Sequence, residues 1–209
     1  MATLAHAVSG PQTPANAEKN NRSEAANDVP PTQTDWSVYY ATPRLRDGRE
    51  VAIRPIRPDD TPLMVEFHRT LSNRTVYLRY FEDMELTKRI DPERLHSVCT
   101  VDFKQKMAVV AEWINPDTEQ REIIGCGRLL RLFPDEAEFA ILVSDTFQST
   151  GLGTQILNRL VNIARNAKVK RVVGYILPEN IGMQAVCRKL GFRVEMNRSC
   201  KEVEATLEF

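Results

Sequence analysis

Two glycines follow a run that ends at Val143 and flank the first residue of a stretch in which Leu152, Ile156, Leu157, Leu160, Val161 and Ala164 recur at the period of an amphipathic helix. This strand, loop and helix junction, Gln148-Ser149-Thr150-Gly151-Leu152-Gly153 at its centre, constrains the fold more than any other feature. Glycine carries no Cβ, so the backbone N–H groups around it can approach a ligand closely. The helix start adds unpaired donors and the positive end of a dipole. Together these make an anion cradle suited to a phosphate or pyrophosphate. A Walker loop would need Gly-Lys-Ser/Thr after a longer spacing, and the dinucleotide fingerprint a third glycine; neither is present. What remains is a pyrophosphate site of another kind.

The pattern on either side of the cradle sets the fold class. Upstream, Val51-Ala52-Ile53-Arg54-Pro55-Ile56 reads as a first strand, and Thr61-Pro62 as a helix cap with proline in the first turn. Leu63, Phe67 and Leu71 share one helical face. Residues 69–81 continue as helix or broken helix, and residues 91–99 suggest another. Residues 106–113, 123–132 and 136–143 read as an antiparallel meander, turned at Asn115-Pro116-Asp117 and Phe133-Pro134-Asp135. Past the cradle helix come a strand at 171–176, a helix at 180–190 stopped by Gly191, and closing strands at 192–197 and 202–207. The class is α/β with a mixed, mostly antiparallel sheet flanked by helices, in a single domain over residues 36–209. Residues 1–35, rich in Ala, Asn, Pro, Thr and Ser, are expected to be a disordered tail.

Composition removes several functions. Lysine plus arginine equals aspartate plus glutamate at 28 each, so no global field draws nucleic acid or an anionic membrane. Cys99, Cys126, Cys187 and Cys200 form no CxxC pair and complete no zinc set with His6, His68 and His96. With no secretory signal pattern and no apolar run near the ~20 residues a bilayer needs, the expectation is a cytoplasmic protein without metal.

Gln148-x-x-Gly151-x-Gly153, preceded by Glu138-Phe139-Ala140-Ile141-Leu142-Val143, resembles the signature motif of the GNAT superfamily of N-acetyltransferases. Asn180 followed by Lys189-Leu190-Gly191-Phe192 is similar to its second block. Upstream, Arg54-Pro55-Ile56-Arg57-Pro58-Asp59-Asp60, Leu71-Ser72 and Tyr77-Leu78-Arg79-Tyr80-Phe81 resemble one branch, the bacterial protein lysine acetyltransferases that modify acyl-CoA synthetases. The resemblance covers roughly residues 51–209. It implies an acyltransferase that uses acetyl-CoA to acetylate an amine. The acceptor is a protein lysine, as in an acyl-CoA synthetase; alternatives are a small amine or amino acid, or a non-catalytic acyl-CoA sensor that has lost its base.

By the same resemblance Glu138 is the base, with Glu136 and Glu112 as fallbacks. Alternation puts Glu138 on one strand face with Ala140 and Leu142. Backbone N–H groups of Leu142 and Val143 would polarise the thioester carbonyl. Gln148, Ser149, Thr150, Gly151, Leu152, Gly153 and Thr154 would hold the pyrophosphate. Asn180 would bond the pantetheine arm, cap the last helix, or both. The tyrosine that many GNAT enzymes use to protonate the departing thiolate is replaced by Cys187. Arg159, Arg165, Arg188, Lys189 and Arg193 are candidates for the cofactor's 3′-phosphate, each read individually as part of a solvated face. Trp113, Tyr77, Tyr80 and Phe81 are read as packing residues.

Overall fold

The computed structural model describes residues 35–199 and 201–209. The expected tail lies outside them except for Asp35, whose carboxylate accepts from Ser37 N–H at the start of a 3-10 turn, Trp36–Tyr39. One seven-stranded sheet runs in the order β1-β2-β3-β4-β5-β7-β6. The strands are β1 Ala52–Pro55, β2 Lys106–Ile114, β3 Arg121–Phe133, β4 Glu136–Val143, β5 Arg171–Ile176, β6 Arg193–Asn197 and β7 Glu202–Glu208. All neighbours are antiparallel except β4 and β5. The helices are α1 Thr61–Thr70, α2 Asn73–Tyr80, α3 Leu86–Arg89, α4 Pro92–Cys99, α5 Leu152–Asn166 and α6 Ile181–Lys189.

These elements follow the sequence pattern closely, with two differences. Helix α3 is too short for a hydrophobic period to announce it. At α1 the cap is Asp60, and Thr61 is the first helical residue. The Asp60 carboxylate makes no capping bond, because it is engaged by Arg54 and by Arg57 N–H. The break between α1 and α2 falls at Leu71-Ser72, where Ser72 Oγ accepts from Thr75 N–H and restarts the helix.

Each face of the sheet carries a core. On one, α1 and α4 bury Met64, Phe67, Leu95 and Cys99 against Ala108, Val110, Cys126 and Leu142. On the other, α5 buries Ile156, Leu157 and Leu160, each worth roughly 1.5–3 kcal/mol when fully removed from water. Helix α5 lies unusually tight on β3: a Cβ at Gly127 would stand 2.4 Å from Ile156 Cγ2. That contact fixes the height of the α5 N-terminus over the sheet. Among the described residues no helix is long and apolar enough to cross a membrane.

Candidate active site

Strands β4 and β5 pair only at Glu136–Arg171, Ala137–Val172 and Glu138–Val173. Beyond Glu138 they part. At the parting point the Phe139 ring fills the space over Gly174, where a Cβ would come within 2.2 Å of it, and packs edge-on against Phe192. The wedge between the strands is a cavity of about 500 Å³. Its walls are β4 from Glu138 onward, Tyr175 and Ile176 of β5, Thr75 and Arg79 of α2, the α5 start and one side of α6.

At one end of the cavity is the cradle. A 3-10 turn, Asp145–Phe147, leads into Ser149 with φ of 62° and Gly151 with φ of 96°, which caps α5 in the left-handed region glycine favours. No side chain caps α5, so the donors of its first turn are left for a ligand. Space over Gly153 is open as far as Val143 Cγ2 at 4.0 Å. Gln148, Ser149, Gly151, Gly153, Thr154 and Asn180 all line this cavity, as do Leu142 and Val143. Two other expected residues turn elsewhere. The Leu152 side chain is wholly buried in the core, and the Thr150 hydroxyl donates to Phe147 O.

The loop is held by polar contacts that the sequence did not announce. Asp145 accepts from Ser72 N–H, Ser72 Oγ and Thr75 Oγ1 at 3.0, 2.6 and 2.8 Å. Burial opposes its charge, but the bonds from Ser72 and Thr75 hold its carboxyl below the usual range. Gln148 Nε2 donates to Thr75 Oγ1 and Val143 O, so this side chain ties α2 to the end of β4. The side chain of the signature glutamine thus braces the loop.

Alternation also sorts the β4 donors. Ser144 N–H donates to Ile124 O on β3, so Leu142 N–H points to β3 as well. The N–H groups of Ile141 and Val143 lie on the edge that opens into the wedge.

Three glutamates were candidates for the base, and their surroundings differ. Glu112 pairs with Arg54 at 2.7 Å, and Glu136 with Arg171. Glu138 lines the cavity, and no hydrogen bond or ion pair among the described residues engages its carboxyl. Its pKa is raised, chiefly by burial and further by nearby Glu202, with Arg79 acting in the opposite sense. Cys187 lies fully buried in the core, its thiol pushed up to about 12 by desolvation, and does not line the cavity. Tyr175, missed in the sequence, stands on the same sheet face as Glu138, 40% exposed at the cavity wall. Asn180 Oδ1 accepts from Met183 N–H as the cap of α6, while the residue also lines the cavity.

Known proteins with the same build stand beside this geometry. The acetyltransferase (GNAT) domain family matches residues 50–193. Acetyltransferase PA5475 of Pseudomonas aeruginosa is 30% identical over 149 residues, covering 71% of this chain and 77% of that protein. Acetyltransferase Pat of Mycolicibacterium smegmatis is 23% identical over 150 residues, 71% of this chain but only 43% of that relative. The crystal structure of the GNAT domain of S. lividans PAT superposes with a TM-score of 0.73 at 26% identity, covering 82% of this chain and 97% of that one. A family match that runs from before β1 to the start of β6 takes in the cradle, the split strands and α6 alike, and the chain therefore belongs to the GNAT family of acetyltransferases, with acetyl-CoA as its acetyl donor.

Proposed function

We propose that this chain acetylates the side-chain amine of a protein lysine, as in an acyl-CoA synthetase, with Glu138 as the base. The observation that carries this reading is the unpartnered, half-buried Glu138 carboxylate beside an exposed Tyr175, at the end of the cavity away from the cradle. Burial without a counter-ion raises the carboxyl's proton affinity toward the pH at which it must work. Glu138 and Glu202 favour the approach of an ammonium group, with Arg79 at the cavity wall acting against it. A lysine with pKa ~10.4 is neutral in only about one molecule in 2,500 at pH 7, so its proton must be removed near the point of attack. A long, flexible side chain entering past Tyr175 suits an acceptor too large to enter the cavity itself. The resemblance of the residues from Arg54 to Phe81 to protein lysine acetyltransferases, and the likeness to S. lividans PAT, support the same acceptor class.

The residues present fit the cofactor. Gln148 N–H donates to Asp145 O, so the backbone N–H groups from Ser149 to Thr154, with the Thr154 hydroxyl, are assigned to the pyrophosphate, and the Asn180 amide to the pantetheine arm. Val143 N–H is assigned to the thioester carbonyl oxygen, where negative charge develops. Acetyl-CoA supplies the activated acyl carbon. Glu138 accepts one proton from the lysine ammonium directly or through water. The neutral nitrogen bonds to that carbon, the carbon–sulfur bond breaks, the nitrogen's second departing proton passes to solvent, and coenzyme A leaves. Cys187 takes no part, and solvent returns a proton to the thiolate.

Radiolabelled acetyl-CoA, offered with purified acyl-CoA synthetase and with a panel of small amines, tests the acceptor. Label on one synthetase lysine, lost in Glu138→Gln, is the expected result. Label on small amines alone would overturn the protein acceptor, and tight cofactor binding without any turnover would favour a sensor.

A further inference from the structure

Coenzyme A carries a pyrophosphate and, on its ribose, a 3′-phosphate. The α5 N-terminus and its glycines account for the first. The second needs positive side chains, since a chain with no net charge offers no diffuse field to replace them. Of the five basic residues that the sequence put forward, four do not line the cavity and make contacts elsewhere. Arg159 donates to Val38 O, Arg165 stacks on Phe209, Arg188 donates to Gln184 and Arg193 pairs with Glu195. Lys189 alone lines the cavity.

A second, smaller cavity of about 200 Å³ adjoins the first and shares with it Arg46, Gly151, Thr154 and Lys189. Its other wall is the hairpin over residues 41–50, ahead of β1, where Leu45 N–H donates to Arg49 O and Arg44 opposes Glu50. Two bonds fasten this hairpin to the cradle: Arg46 N–H to Thr150 O at 2.9 Å, and Arg49 Nη2 to Thr146 O at 3.1 Å. Arg49 is held further by Asp47 and by its stacking on Phe147. The Arg46 side chain lies over Gly151, its Nε 3.7 Å from where a Cβ would stand. Arg44 is committed to Glu50, whereas no carboxylate among the described residues pairs with Arg46 or Lys189. Two uncommitted cations therefore flank a cleft just past the pyrophosphate cradle, one of them on a segment upstream of the family match.

We propose that Arg46 and Lys189 hold the 3′-phosphate of coenzyme A in this smaller cavity, so that the hairpin before β1 is part of the cofactor site and selects the phosphorylated cofactor. The assignment is independent of which amine is acetylated. The hairpin's main-chain bond to Thr150 fixes where the Arg46 stem begins, which limits the ordering cost of binding.

Calorimetric titration of the full chain with coenzyme A and with 3′-dephospho-coenzyme A tests it. The expected wild-type preference for coenzyme A is about tenfold or more, as for a phosphate held by charged donors. Arg46→Gln, which keeps the backbone bond, is expected to remove most of that preference while leaving dephospho-coenzyme A affinity within about twofold. Lys189→Gln, on a different element, is expected to do the same, so a folding defect in one variant leaves the other to decide. Equal wild-type affinity for the two ligands overturns the proposal. So does an equal loss for both ligands in the variants, which would put these cations on the pyrophosphate.

Discussion

Two clusters of buried or half-buried charge, one at β1 and one at the strand split, are built from the same residue types and behave oppositely. At β1, Arg54 meets Asp60 with two bonds of 2.8 and 2.7 Å and Glu112 with another of 2.7 Å. All three side chains are nearly removed from water, and the cluster ties β1 to β2 and to the turn before α1. At the split, Glu138 has been brought partly out of water with no comparable partner, Arg79 acting on it only through space. Paired burial gives scaffolding, since every charge is satisfied and removing one strands the others. Unpaired burial leaves a carboxylate whose protonation state is easily moved, which suits a base and does little for stability.

The largest effect that separates the two is expected from Arg54→Ala. Stranding two acidic groups should cost about 3–5 kcal/mol in urea unfolding, with turnover per folded molecule retained. A stable variant without turnover would break the comparison. Glu138→Gln should do the reverse, lowering kcat by about 10²–10⁴-fold with the unfolding midpoint unchanged or slightly raised. Asp145→Ala sits between the two kinds. Losing its bonds to Ser72 and Thr75 should cost about 1–2 kcal/mol and weaken acetyl-CoA binding as the cradle loop loosens. Its lowered pKa means this contribution is present at neutral pH and is lost as pH falls through the folded-state value, which stability measured against pH would show. The smallest effect is expected for Cys187→Ala, a loss of about 1 kcal/mol from the core with no change in the pH dependence of turnover. A shifted alkaline limb in that variant would return the thiol to the chemistry.

The sequence made the elements legible because the strands alternate and α5 keeps a clean helical period. The junction into α5 was legible because Gly151 and Gly153 interrupt the pattern where a strand gives way to an amphipathic helix. What escaped was whatever depends on pairing across the chain. Nothing in the order of residues says that Glu136 and Glu112 meet arginines while Glu138 does not. Gln148 stands in the signature, yet its side chain braces Thr75, a residue 73 positions away. Leu142 and Val143 look alike as neighbours on a strand, and only the register with β3 turns one N–H inward and the other into the wedge. Arg46 lies before the first strand, in a hairpin with no periodicity to mark it, and its place over Gly151 follows from a main-chain bond to Thr150.

The pH dependence of kcat/KM for wild type and Glu138→Gln, measured by acetyl transfer to the labelled acceptor, tests the role of Glu138 most directly. A base must be ionised to act, and the folded-state pKa of Glu138 lies above the ordinary carboxylate value. Wild-type kcat/KM should therefore rise with pH through that raised value, while the same ionisation makes the fold slightly less stable as pH rises across the window. In Glu138→Gln that limb should vanish and the rate should fall by about two orders of magnitude or more. An unchanged limb at an unchanged rate would contradict the assignment of Glu138 as the base.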